Sequence, residues 1–156
     1  MLNMNTILCP TDFSEASAEA LDYAAGMAAR FGARLCVLHV TQPVQPIPAT
    51  VPIVDYSGFD TSGYEDIMRE HATSELSELL KRPSLANVDV ESEVRRGYPT
   101  DEILRAAEEM NADLIVIATH GATGWRRYVF GSVTEKVLHQ SSCPVLVTPV
   151  REPEGA

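Results

Sequence analysis

The chain has 156 residues, 45% hydrophobic and 22% charged, enough for one domain with a buried core and too apolar for a disordered chain. Twelve basic residues against 22 acidic ones leave a formal net charge of −10, which repels nucleic-acid backbones and anionic lipid surfaces. Neither is expected as a partner, and the apolar runs are only strand-length, so no transmembrane span or signal peptide is expected.

Three cysteines, Cys9, Cys36 and Cys143, lie in apolar surroundings and show no metal-ligand spacing. An odd number of such residues fits buried, reduced thiols in a cytoplasmic protein.

Residues 5–9 read as a first strand, stopped by Pro10. Ser14 is a good N-cap, and Ala16, Ala20, Tyr23, Ala24, Met27 and Phe31 recur at helical spacing before Gly32 closes the helix. Residues 35–40 form a second strand, apolar almost throughout and therefore covered on both faces. From 41 to 63, Pro43, Pro46, Pro48, Pro52, Gly58 and Gly63 forbid a regular element, giving a long irregular loop.

A helix is predicted over 64–82, with Met68, Ala72, Leu76 and Leu79 on one face, Lys81 and Arg82 in its last turn, and Pro83 as its stop. Residues 88–94 alternate Val88, Val90 and Val94 with Asp89, Glu91 and Glu93, the pattern of a half-exposed edge strand. Pro99 opens a third helix with Ile103, Ala107 and Met110 inward and Asn111 as its cap. A buried strand follows at 114–118, then a glycine-bearing turn, a helix to about 140 and a strand from Pro144 to Val150. The whole of 1–156 reads as one domain with a flexible tail at 151–156.

Strands alternating with helices require parallel pairing through right-handed crossovers. The expected fold is therefore α/β, a doubly wound five-stranded parallel sheet in the order 3-2-1-4-5. In such sheets ligands bind beyond the carboxyl ends of the strands, where the winding reverses. Three loops meet there: Pro10-Thr11-Asp12, Val40-Thr41, and Thr119 to Gly131. The last is the most informative, because a buried strand runs through small residues into a helix start. Unpaired N–H groups and the helix dipole favour an anion at such a place.

With these pieces in place, the chain resembles the universal stress protein family along essentially its whole length. The resemblance rests on Pro10-Thr11-Asp12-Phe13-Ser14, the long middle loop, Gly97-Tyr98-Pro99 and the glycine block. The ATP-binding branch carries Gly-x-x-Gly, nine residues, then Gly-Ser or Gly-Thr. Gly121 and Gly131-Ser132 match with nine residues between them, while Ala118 replaces the first glycine. The added methyl is harmless if φ at Ala118 is negative, and costly if it must be positive.

The resemblance implies a Rossmann-like adenine-nucleotide site at the ends of strands 1, 2 and 4, built from Pro10, Thr11, Asp12, Val40, Ala118, Thr119, His120, Gly121, Gly131, Ser132, Val133 and Thr134. Asp12 would accept hydrogen bonds from the ribose or adenine, and main-chain groups of Val40 would read the adenine edge. Gly121 and Gly131 would bring backbone N–H groups to the phosphates of ATP, Ser132 would add a hydroxyl, and Mg²⁺ would ride on the phosphates. The implied role is a nucleotide-dependent regulatory or protective stress-response dimer.

Plainer readings stand beside these. Asp12 and Ser132 also suit simple helix caps, Arg126 and Arg127 a solvated face, and Trp125 an amphipathic cover. His120 lacks an evident nucleophile to serve and reads as a rim residue, while His39, His71 and His139 read as ordinary strand or helix residues. A slow ATPase is a weaker alternative, since the chain lacks GxxxxGK[ST] and a base to orient water. A non-nucleotide dimeric adaptor is another, prompted by Ala118. A two-component receiver is excluded because the third strand runs into Arg95-Arg96 and no lysine follows Lys136. Finally, Val145-Leu146-Val147 puts apolar residues on an edge strand, so 144–150 is the expected homodimer contact.

Overall fold

Thr6–Pro10 forms strand β1 and Arg34–Thr41 forms β2, followed by Val90–Arg96 (β3), Leu114–Ala118 (β4) and Val145–Thr148 (β5). Between them lie helices Glu15–Phe31 (α1), Thr61–Leu79 (α2), Pro99–Glu109 (α3) and Ser132–Gln140 (α4). The computed structural model describes residues 3–43, 61–119 and 130–149. His120, Gly121, Trp125, Arg126 and Arg127, most of the 41–63 loop and the 151–156 tail therefore lie outside the described residues.

The five strands form one sheet in the order β3-β2-β1-β4-β5, and every pairing is parallel. This is the expected doubly wound topology. Its winding reverses between β1 and β4, whose residues are all buried. Period-two alternation sends Ile7, Cys9, Leu35 and Val37 to one face, against Leu21, Ala24, Ala25 and Ala28 of α1 and Leu76 of α2. Leu8, Leu38, Ile115 and Ile117 point the other way, against Ile103, Ala106 and Ala107 of α3 and Val137 of α4. The two cores hold the central strands rigidly, and so set the spacing of the loops at their carboxyl ends.

Local chemistry explains the helix ends. Ser14 caps α1 by accepting a hydrogen bond from the Ser17 N–H at 3.2 Å, and Gly32 closes it in the left-handed region at φ 66°. Asn111, at φ 49°, makes the same kind of turn after α3. Gly97 is required for a steric reason. A Cβ there would lie 2.7 Å from Cγ of Glu102, whose carboxylate is buried beside Arg105 at 2.9 Å.

Several sequence expectations shift. The buried stripe of α1 is Ser17, Ala20, Leu21, Ala24, Ala25 and Ala28, whereas Tyr23 and Phe31 are exposed. The stripe is rotated by about one residue from the expected face, because the close packing of α1 on the sheet selects small side chains. Helix α2 begins at Thr61 and ends at Leu79, and Met68 is exposed. Pro83 starts a short 3₁₀ turn, Pro83–Leu85, rather than ending α2. Arg82 lies beyond the helix and reaches across to Asp22 of α1, its Nε 3.0 Å from Oδ1. β3 spans 90–96 rather than 88–94, but occupies the sheet edge as expected. Of the thiols, Cys9 and Cys36 are buried and Cys143 is only half-buried.

Candidate functional site

At the carboxyl ends of β1, β2 and β4 lies a cavity of about 450 Å³. This is where the winding reverses, the place that open α/β sheets use for ligands. Pro10, Thr11, Asp12, Val40, Ala118, Gly131, Ser132, Val133 and Thr134 all line it. Thr119 stands beside the wall rather than in it, and His120 and Gly121 lie outside the described residues. The floor is apolar, with Leu38, Ile103, Ile117 and Val133, and Asp12 is the sole acidic or basic side chain among the described lining residues apart from His39.

A larger cavity, about 700 Å³, lies between the start of α2 and the ends of β2 and β3. Its arginines are matched by carboxylates: Arg69 with Asp66 at 3.6 Å, Arg95 with Glu93 at 2.9 Å, and Arg96 with Glu65. It presents little uncompensated charge and stands away from the topological switch point, so the smaller cavity is the better candidate.

The α4 side of the site is held by three contacts. The Gly131 N–H donates to the Thr119 carbonyl at 2.8 Å, the Thr119 N–H donates to the Thr148 carbonyl at 3.0 Å, and the Thr134 hydroxyl donates to the Ala118 carbonyl at 2.8 Å. The start of α4 is thereby fixed to the ends of β4 and β5. The expectation that Gly131 offers its own N–H to a ligand is corrected, because that hydrogen is spent on Thr119. Helix geometry leaves the N–H groups of Ser132, Val133 and Thr134 without intrahelical acceptors, and they follow Gly131 at the helix start. Gly131 is the N-cap and no side chain caps the helix, so the plain reading of Ser132 as its own cap is not what the structure holds. Ala118 has no positive φ, which belongs only to Phe13 and Asn111 among the described non-glycine residues. Its methyl therefore carries no backbone strain.

The β1 side is a tight turn. The Thr11 N–H continues the sheet to the Leu38 carbonyl at 2.8 Å. Thr11 Oγ1 lies 3.1 Å from Ser17 Oγ and accepts the Phe13 N–H at 3.1 Å. Asp12 Oδ1 accepts the Ser14 N–H at 3.0 Å and the Ser14 hydroxyl at 2.5 Å. Asp12 thus braces the residue that caps α1 while also standing exposed on the cavity wall. The plain reading of Asp12 as the helix cap is corrected: Ser14 is the N-cap of α1, and Asp12 supports it from the preceding turn.

Sequence reasoning passed over Ser17, His39, Pro99 and Ile103, all of which line the cavity. Ser17 was hidden in a helix, and Pro99 and Ile103 carry no chemical signal. His39 had one: it is the polar interruption of the apolar run Leu35 to Val40.

The parallel sheet and its crossovers define a doubly wound α/β protein with a cavity at the switch point. The chain belongs to the universal stress protein family, whose sequence model matches residues 3–149. It is similar to universal stress protein MJ0531 of Methanocaldococcus jannaschii, at 32% identity over 95% of this chain and 82% of that one. Its fold is also that of protein MJ0577 from the same organism, with a TM-score of 0.78 and 25% identity over 97% of this chain and 100% of that structure. A universal stress protein in complex with cAMP shares the fold as well, with a TM-score of 0.60 and 24% identity over 95% and 98% of the two chains.

Proposed function

We propose that the cavity at the ends of β1, β2 and β4 is an adenine-nucleotide site that holds ATP, and that the protein acts as a nucleotide-dependent regulatory or protective dimer in the cytoplasm. The observation that carries this reading is the start of α4, where Ser132, Val133 and Thr134 follow an anchored N-cap at the cavity wall. Such a helix start favours phosphate without any side-chain cation. The apolar floor of Leu38, Ile103 and Ile117 suits a purine, and Val40 offers main-chain groups at the end of β2. The fold-sharing relative crystallised with cAMP supports the same ligand class. Asp12 is the one carboxylate among the described lining residues, a donor set that fits Mg²⁺ held mainly by the nucleotide's phosphates.

The experiment is to denature the purified protein, chromatograph the supernatant at the adenine absorbance band, and titrate the protein with Mg-ATP in a calorimeter. Released adenine nucleotide or saturable heat supports the reading, and the absence of both rejects it.

The dimer rests on β5, which among the described strands pairs with β4 alone and carries Leu146 37% exposed. An apolar open edge is stabilised by pairing with a second copy. Light scattering at micromolar concentration should give twice the chain mass, and a monomer would remove this part of the proposal. Ala118 keeps the non-nucleotide adaptor in view, because its methyl stands in the cavity wall. The adaptor predicts self-association with no thermal shift on adding ATP.

A further inference from the structure

Phe13 is a bulky residue in the left-handed region, at φ 64°. A conformation of this kind persists only where neighbouring contacts over-determine it. Here the contacts come from a different strand. The His39 ring stacks on Phe13 with centroids 4.2 Å apart and planes inclined at 29°. Its Nδ1 lies 2.8 Å from the Thr11 carbonyl oxygen. A carbonyl only accepts, so Nδ1 carries the hydrogen and donates it. One side chain of β2 thereby grips the turn on both sides of Asp12, at the carbonyl of Thr11 and the ring of Phe13.

We propose that His39 is the positioning residue of the site, acting through the Thr11–Phe13 turn to aim the Asp12 carboxylate at the sugar hydroxyls of a bound nucleotide. The proposal rests on the cavity's being a nucleotide site. Its geometric content is independent of that reading: the His39 latch, the strained Phe13 and the Asp12–Ser14 bonds form one unit. Thr11 Oγ1 and Ser14 complete the unit from the α1 side, holding the Phe13 N–H and the Asp12 carboxylate respectively. Without the latch, Phe13 relaxes toward ordinary φ and the carboxylate turns with it. The cost then falls on recognition of the ribose and leaves the phosphates held as before, because the α4 start is anchored separately through Thr119 and Ala118.

The test compares His39→Ala with His39→Asn, whose side-chain amide can supply a donor near the Nδ1 position. Binding of ATP and of 2′,3′-dideoxy-ATP is measured for each. Wild type should prefer ATP by about tenfold, the worth of a carboxylate–hydroxyl hydrogen bond. In His39→Ala the preference for ATP over dideoxy-ATP should fall toward one, and Asp12→Ala should lower it no further in the double variant. His39→Asn should retain most of the preference. An unchanged preference in His39→Ala overturns the proposal.

A second measurement needs no nucleotide: amide hydrogen exchange at Phe13 and Ser14. His39→Ala should speed exchange at both, and His39→Asn should restore protection. Unaltered protection in His39→Ala refutes the latch even if wild type binds no nucleotide. Conversely, lost protection in a protein that binds no nucleotide rejects the functional reading and retains the latch as a feature of the turn.

Discussion

The hydroxyl of Thr134 donates to the main-chain carbonyl of Ala118 across 2.8 Å, and both residues are buried. Ala118 ends β4 and Thr134 lies in the first turn of α4, so a single side chain sets how the helix start meets the strand end. A buried carbonyl left without its donor costs about 1–2 kcal/mol. Thr134→Val should therefore lower the melting temperature by roughly 3–8 °C, while Thr134→Ser should restore it. Differential scanning calorimetry of the two variants decides the point. If the helix start is also the phosphate site, Thr134→Val weakens Mg-ATP binding as well.

Ala118→Gly restores the glycine that the ATP-binding pattern carries at this place. Since φ at Ala118 is not positive, glycine relieves no backbone strain. It should destabilise β4 by about 0.5–1 kcal/mol. It should change Mg-ATP affinity by no more than about fourfold, the worth of one methylene group. A gain beyond tenfold in calorimetry would instead show that the methyl crowds the ligand.

The pair Asp22–Arg82 joins α1 to the segment after α2, with Ser84 adding a 2.5 Å hydrogen bond to the same carboxylate. The Arg82 hydrogen bond, followed by that of Ser84, holds the Asp22 carboxyl below its ordinary range against the opposing effect of burial. A carboxyl lowered in the folded state stabilises fully above its unfolded pKa, about 3.9. That contribution is lost as pH falls through the folded value. Both side chains are more than a third exposed, at 34% and 39%, so solvent screening limits the pair to about 0.5–1 kcal/mol. Urea denaturation of wild type and Arg82→Met should differ by that amount at neutral pH, and the difference should shrink as the pH falls through the lowered folded-state pKa of Asp22. A gap that widens toward acid would contradict the assignment.

Burial, helped by the charge of Asp22, pushes the Cys9 thiol up to about 12, and burial also raises Cys36. Cys143 is half-buried. A thiol reagent at pH 8 should label one cysteine of the native protein quickly, Cys143, and the other two only on unfolding. Mass spectrometry of the labelled peptides identifies the site, and rapid labelling of Cys9 would be incompatible with its burial.

Strand and helix types were legible in the chain because they depend on periodicity and punctuation. Pro10 as the last residue of β1, Gly32 after α1, Pro99 as the first residue of α3 and the run Leu114 to Ala118 each act within a few residues of themselves. The same locality made β3 recognisable as an edge, since Asp89, Glu91 and Glu93 alternate with valines. The α1 stripe was less legible. Tyr23 and Phe31 have core-like side chains, yet the sheet's close approach admitted Ser17 and Ala28 and left both aromatics outside.

At the candidate site, the glycine block and Pro10-Thr11-Asp12 pointed from sequence alone to the strand ends that border the cavity, because turn residues and helix starts are local signals. What each group does there was settled in three dimensions. Gly131 spends its N–H on Thr119, Thr134 reaches Ala118, Asp12 braces Ser14, and His39 grips Thr11 and Phe13 from β2. The His39–Thr11 contact joins residues 28 apart, and the Thr134–Ala118 contact joins residues 16 apart. Neither leaves a trace in sequence periodicity, because hydrogen bonds between separate elements arise only when packing of the two cores brings their ends together. Element type therefore followed from the order of residues, while the division of labour within the cavity followed from tertiary contact.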